Sequence, residues 1–199
     1  MKSYWIELPI DSGMIREARD FKLFREKIKV ILKLENKDYD KFTTEDDAFI
    51  GRLGELVFVK WMKEIKGLKE DEDFIEWYKV HHPKKDFYDK WDYKLMKNEK
   101  TIDVKAAQTK LEPNPKWTFG YPEIQKPANK DYIVLVYIIN NEVKKPIKGI
   151  IIGWLRGKEI ATKYGKPVLI NAFAGFKYRT PNFETVVEDY HNIEEILSM

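Results

Sequence analysis

The stretch "TIDVKAAQT", Thr101 to Thr109, sets an acid and a base on one side of an otherwise apolar segment. Strand side chains alternate between faces, so Asp103 and Lys105 share one face while Ile102 and Val104 share the other. A carboxylate next to an ammonium can hold a cation, orient a water and move a proton. A second acid, Asp92 in "KWDYKL", lies on the preceding segment, and the turn at Asn98-Glu99 predicts a hairpin of Trp91 to Lys97 with Thr101 to Ala107. A turn of two residues (Asn98-Glu99) or of four (Lys97 to Lys100) sets Asp92 opposite Lys105 and Lys94 opposite Asp103. Asp92 then stands diagonally from Asp103 on the same face, roughly 7–8 Å away. A turn of three or five would flip the faces. Asp86 and Asp89 compete for the same role but precede the strand.

A third carboxylate comes from "TTEDDAFIGRLGELVFVKWMKEIKG", which reads as a strong helix. Thr44 suits the N-cap with Asp47 three residues on, and Gly67 marks the stop. Ile50, Leu53, Val57 and Trp61 form its apolar stripe, and Glu55 falls on the flank of that stripe beside Gly51 and Met62. Gly51 and Gly54 each cost about 1 kcal/mol against Ala inside a helix, which predicts close approach of the backbone to a neighbour. Three converging carboxylates repel one another, and a divalent cation relieves that repulsion. Oxygen-only ligation selects a hard ion, Mg²⁺ or Mn²⁺. Such an ion acidifies a water and stabilises charge on a phosphoryl oxygen, and Lys105 beside it can orient or deprotonate that water.

The elements that must position these groups follow from periodicity. Residues Arg16 to Lys33 repeat apolar positions at helical spacing, and "FIEWYKV", Phe74 to Val80, reads as a strand. Four prolines between Gln108 and Lys130 leave no room for a long helix there. "DYIVLVYII" is apolar and β-branched throughout, as in a strand buried on both faces, with "IKGIIIGW" as its neighbour. A short helix around Lys158 to Tyr164, a strand in "AFAGFKYRT" and a short terminal helix complete an α/β order, read as one domain over 1–199.

Composition narrows the chemistry. The 199 residues carry 36 Lys plus Arg against 33 Asp plus Glu, so any basic footprint for nucleic acid must be local. Without cysteine there is no disulfide and no thiolate metal site. The N-terminus lacks the apolar core of a signal peptide and no apolar run is long enough to span a bilayer, so a soluble cytoplasmic protein with no membrane partner is expected. Charged residues at 35%, rich in Lys and Glu, predict a thermophilic source.

Glu55 in "GRLGE", Asp92 in "KWDYKL" and "IDVK" at 102 to 105 together resemble the PD-(D/E)XK, or restriction-endonuclease-like, nuclease superfamily, over about residues 44–155. The order also resembles it: helix with Glu, hairpin with Asp, then acid-x-Lys. The resemblance implies a central mixed β-sheet flanked by helices, here with an N-terminal helix and a C-terminal α/β extension. It implies Mg²⁺-dependent hydrolysis of phosphodiester bonds in DNA, endonucleolytic rather than exonucleolytic. Glu55, Asp92 and Asp103 would then be metal ligands, with the Val104 carbonyl as a fourth and Lys105 as the catalytic lysine. Trp91 stands where the family has Pro before the first acid. A homodimer would supply two sites for cutting both strands.

Outside that core, His82, Lys84 and Lys85 in "KVHHPKK", together with Gln108, Lys110, Trp117 and Tyr121, are candidate nucleic-acid contacts. Each has a plain reading as well: a loop histidine, a solvated charge, an aromatic packed on the domain. Two rival functions stand beside the nuclease, namely a non-catalytic nucleic-acid-binding module and a structural or protein-interaction domain.

Overall fold

A computed structural model describes residues 4–34, 45–80 and 90–198. The chain enters through a short strand, β1 (Ile6–Pro9), then a long helix, α1 (Ser12–Leu34), and a second, α2 (Glu45–Lys60), which runs into a π-helical turn at Trp61–Ile65. Gly67 takes a left-handed φ of 67° just beyond, the stop its position implies. Next come β2 (Phe74–Glu76), a single turn α3 (Trp77–Val80), β3 (Tyr93–Leu95), β4 (Thr101–Thr109) and β5 (Thr118–Pro122). The chain ends with β6 (Tyr132–Asn140), β7 (Pro146–Arg156), α4 (Gly157–Lys163), β8 (Val168–Ile170), β9 (Lys177–Val186) and two 3₁₀ turns. The architecture is α/β, a mixed six-stranded sheet flanked by helices, in the order β1-β7-β6-β4-β3-β2. A three-stranded sheet, β5-β9-β8, packs over one of its faces. No helix among the described residues is long and apolar enough to cross a membrane.

Alternation along β6 builds both halves of the core. Tyr132, Val134, Val136 and Ile138 join the α2 stripe on one face, while Ile133, Leu135, Tyr137 and Ile139 meet Tyr121 and Phe183 on the other. Full burial of such a side chain stabilises by ~1.5–3 kcal/mol. The parallel pairing of β4 with β6 sets Asp103 beside Ile133 and Lys105 beside Leu135. The acid and the base therefore face the smaller sheet, and Ile102 and Val104 face α2. The helix sits close because glycines let it: a Cβ on Gly54 would lie 2.6 Å from the Ala106 Cβ, and one on Gly149 would lie 2.5 Å from Val57. Gly51, expected to share that role, has open space among the described residues.

Several expectations are corrected. Only Phe74–Glu76 of the predicted strand Phe74 to Val80 is extended, because the chain turns where the Trp77 N–H donates to the Asp92 carbonyl. β1, β5 and β8 carry no strong periodicity and were not anticipated. "AFAGFKYRT" begins as a turn and becomes strand at Lys177, and the terminal segment is 3₁₀ rather than α-helical. The connection from β4 to β6 contains β5 and two 3₁₀ turns instead of a helix, in keeping with its prolines.

The hairpin register also differs. β3 pairs with β4 as Tyr93↔Ile102 and Lys94↔Thr101, not as Asp92 with Lys105 and Lys94 with Asp103. The turn runs Met96 to Glu99, closed by the Leu95 N–H on the Lys100 carbonyl at 2.8 Å. Glu99 adopts φ 59°, and the Asn98 side chain accepts from the Lys100 N–H, so the ladder ends before Lys97 can pair. The slip is two residues, which keeps every side chain on its expected face.

Candidate active site

β3 leaves β4 after the Tyr93↔Ile102 pair, so beyond Ile102 the β3 side of β4 has no strand partner among the described residues. Asp92 fills the start of that gap. Its N–H donates to the Ile102 carbonyl at 2.9 Å, and its Oδ2 accepts from the Val104 N–H at 2.5 Å. A strand residue's N–H and C=O leave on the same side, so the Val104 carbonyl also faces the gap. Asp92 is 7% exposed, and the open strand edge is what gives it a backbone donor inside the protein.

Asp103 lies deeper, at 4% exposure. Its Oδ2 accepts from the Tyr121 hydroxyl at 3.0 Å and pairs with Lys105 Nζ at 2.8 Å, and its Oδ1 lies 3.5 Å from Lys130 Nζ. Burial pushes the Asp103 carboxyl up, but Lys105, Lys130 and the hydrogen bonds outweigh it, and the group is held below its ordinary value. The Tyr121 phenol is pushed far up, by burial first and then by Asp103. Lys105 also lies 5.6 Å from the Tyr121 ring centroid, a cation–π contact that orients its stem.

Glu55 approaches from the other face of the sheet. It is buried, and its Oε2 accepts from Arg52 Nη1 at 2.7 Å. Arg52 also donates to Glu76 Oε1 on β2 and, at 2.6 Å, to Glu17 Oε1 on α1, with its guanidinium 5.3 Å from the Phe21 ring. Burial would lower the Arg52 pKa, yet Glu55, Tyr93 and Glu76 hold it above the usual arginine value. Tyr93 joins the two sides: its hydroxyl donates to the Glu55 carbonyl at 3.3 Å. Its own pKa is raised well above normal by burial, with Glu55 next.

The structure thus brings Asp103 and Lys105 into direct contact, seats Asp92 against the Val104 N–H, and leaves Glu55 across the sheet, paired with Arg52. No group of three or more His, Asp or Glu side chains placed to hold a metal ion is found among the described residues. The donor types are those a hard dication takes: the Asp92 and Asp103 carboxylates and the Val104 carbonyl are all oxygen.

The remaining expected contacts separate. Tyr121 is wholly buried and holds Asp103, so it offers no face to a base. Trp117 is partly buried against Tyr137, with ring centroids 5.8 Å apart. Gln108 is exposed and accepts from Asn140 Nδ2 at 3.1 Å, and Lys110 is half-exposed with its Nζ 3.7 Å from Glu142. His82, Lys84 and Lys85 lie outside the described residues, as do Thr44, Asp86 and Asp89.

Two residues at the site were not anticipated. Arg52 stands three positions before Glu55, a spacing that puts both on one side of a helix, so the signal was present in "GRLGE" itself. Lys130 stands just before β6, and it reaches Asp103 because the start of β6 runs parallel to the start of β4. Asp131 fixes that alignment by accepting from the Thr101 N–H and hydroxyl at 3.1 and 2.9 Å. No family model matches the chain, and neither a curated protein nor a solved structure matches it.

Proposed function

We propose that the protein is a metal-dependent deoxyribonuclease with a restriction-endonuclease-like core, acting as an endonuclease. One observation carries the reading. Where β3 splays from β4, the Asp92 carboxylate is seated on the Val104 N–H, next to the Asp103–Lys105 pair. Asp92, Asp103 and the Val104 carbonyl would hold Mg²⁺, or Mn²⁺ in its place, with Glu55 at the far side of the gap. Bound there, the ion lowers the pKa of a water and neutralises charge on a phosphoryl oxygen.

The chain's own residues supply the rest. Tyr121 and Lys130 hold Asp103 in place and ionised. Lys105, steadied by Asp103 and the Tyr121 ring, orients the attacking water and stabilises charge as the oxygen–phosphorus bond forms and the ester bond breaks. The buried surroundings strengthen each of these interactions relative to water.

The experiment is incubation of plasmid and linear DNA with Mg²⁺, comparing wild type with Asp103→Asn and Lys105→Ala. Metal-dependent cleavage that is lost in both variants supports the enzyme. Residual cleavage equal to wild type in either variant overturns it. A second reading, a binding module that keeps the fold without cleaving, draws on the neutralisation of Asp103 by two lysines. Salt-sensitive DNA binding without cleavage under any divalent ion would favour it.

A further inference from the structure

From Pro167 to Phe176 the chain runs for ten residues without a charge, in a protein that is 35% charged. The segment is not buried. Val168, Leu169 and Ile170 of β8 are exposed, and so are Phe173 (58%) and Phe176 (52%) in the turn that leads to β9. Ordinary surface loops are polar; this one presents aromatic and aliphatic side chains to solvent.

The turn is stiff. Asn171 is buried at its base, where its Nδ2 donates to Thr118 Oγ1 at 2.9 Å and to the Tyr178 hydroxyl at 2.7 Å. Its Oδ1 accepts from the Phe173 and Ala174 N–H groups, and the Ala172 N–H donates to Glu184. Tyr178 packs onto Gly120 of β5, where a Cβ would lie 2.5 Å from its ring. Thus the tip is fastened to β5, the strand whose Tyr121 holds Asp103. It is fastened a second time through Arg179, which pairs with Asp47 in the first turn of α2 at 2.8 Å.

Charge indicates the occupant. Lys166 and Lys177 bracket the uncharged segment; both are exposed, and neither is ion-paired among the described residues. Two copies of the chain would bring two such cationic rims together, which like-charge repulsion disfavours. A polyanion with apolar faces between its charges fits both features. We propose that the β8–β9 tip is a wedge for DNA, with Phe173 and Phe176 stacking against bases and Lys166 and Lys177 contacting the flanking phosphates. The ligand class rests on the nuclease reading; the wedge itself does not need cleavage.

The test uses the full chain in EDTA, so that cleavage does not intervene, with duplex and single-stranded DNA carrying 2-aminopurine. Wild type is expected to bind and to change the fluorescence of the analogue as bases leave or exchange their stack. Phe173→Ala and Phe176→Ala each weaken binding about tenfold and remove the fluorescence change, while Phe173→Trp retains both. Lys166→Ala with Lys177→Ala weakens binding and reduces its salt dependence. Phe176 also packs edge-on against Tyr178 with ring centroids 5.0 Å apart, so melting temperatures are measured for both variants, and an unchanged one shows that each folds. Binding and fluorescence equal to wild type in the two alanine variants would overturn the wedge, as would absence of DNA binding by wild type. A loss of dimer in the alanine variants with DNA binding unaltered would overturn it in favour of an interface between copies. Parallel cleavage assays with Mg²⁺ separate the two ideas: unstacking without cleavage leaves the wedge standing and removes the nuclease, and the converse removes only the wedge.

Discussion

On the α2 side of the six-stranded sheet one cation, Arg52, serves three acids, Glu17, Glu55 and Glu76. On the opposite side one acid, Asp103, serves two cations, Lys105 and Lys130. Asp92 stands in the gap between them. The first cluster holds a surplus of negative charge and the second a surplus of positive charge. These eight side chains together, Asp92 included, carry two more negative charges than positive ones. The inverted stoichiometry also assigns different work to each side. Arg52 is a rigid planar fork able to satisfy several carboxylates at once, and its loss takes the shared cation from the buried Glu55 and the partly buried Glu76. Lys105 and Lys130 are flexible stems, and Lys130 also donates to the Lys90 carbonyl.

The comparison can be broken most directly through activity. If the Asp103 side carries the chemistry, Lys105→Ala lowers the cleavage rate about 10²- to 10⁴-fold, measured under saturating Mg²⁺, with little change in fold by circular dichroism. Arg52→Met should act on stability first. Removing the shared cation costs about 3–5 kcal/mol, read as a lower midpoint in urea at neutral pH. Asp103→Asn should cost less, about 1–3 kcal/mol, because the amide still accepts a hydrogen bond and Lys130 keeps its bond to the Lys90 carbonyl. An Asp103→Asn effect larger than that of Arg52→Met would reverse the assignment of structural and chemical sides.

Smaller effects sharpen how α2 delivers Glu55 and Arg52. Gly54→Ala pushes the helix off Ala106 and should cost about 1–3 kcal/mol. Gly51→Ala meets nothing and should raise stability by up to about 1 kcal/mol. Thermal melts of the pair check both, and equal effects would mean that the close approach at Gly54 is not what seats the helix. The smallest expected signal is in acid. Asp103 has a folded-state pKa below its ordinary 3.8, so its contribution to stability is complete above that value and is lost as pH falls through the depressed one. Asp103→Asn should therefore flatten the loss of stability below about pH 4. A steeper acid limb in the variant would contradict the depressed value.

Much of this arrangement is legible residue by residue. The face shared by Asp103 and Lys105 follows from strand alternation, which holds whatever the register. The burial of β6 on both sides follows from its unbroken apolar run, and the seat of α2 from the stripe Ile50, Leu53, Val57 and Trp61. Even the Arg52–Glu55 pair is present as a helical i,i+3 spacing. The hairpin register was not, because it depends on Glu99 adopting a left-handed backbone, a choice that four-residue turns make without a glycine to announce it. Lys130 was invisible for another reason: its partner lies on a strand joined by a 22-residue crossover, residues 110–131, whose path no local pattern encodes.

The sequence by itself determined the strong local periods: the helical stripe of α2, the apolar run of β6, and which side chains of β4 share a face. These depend on backbone geometry over a few residues and on burial of apolar surface. Tertiary structure alone decided that Tyr121 would bind a carboxylate instead of a base, that Lys130 would stand beside Asp103, and that Glu55 would lie across the sheet from it. Those outcomes depend on which distant segments pack together, and on the need of each buried charge for an opposite charge or a hydrogen bond once water is excluded.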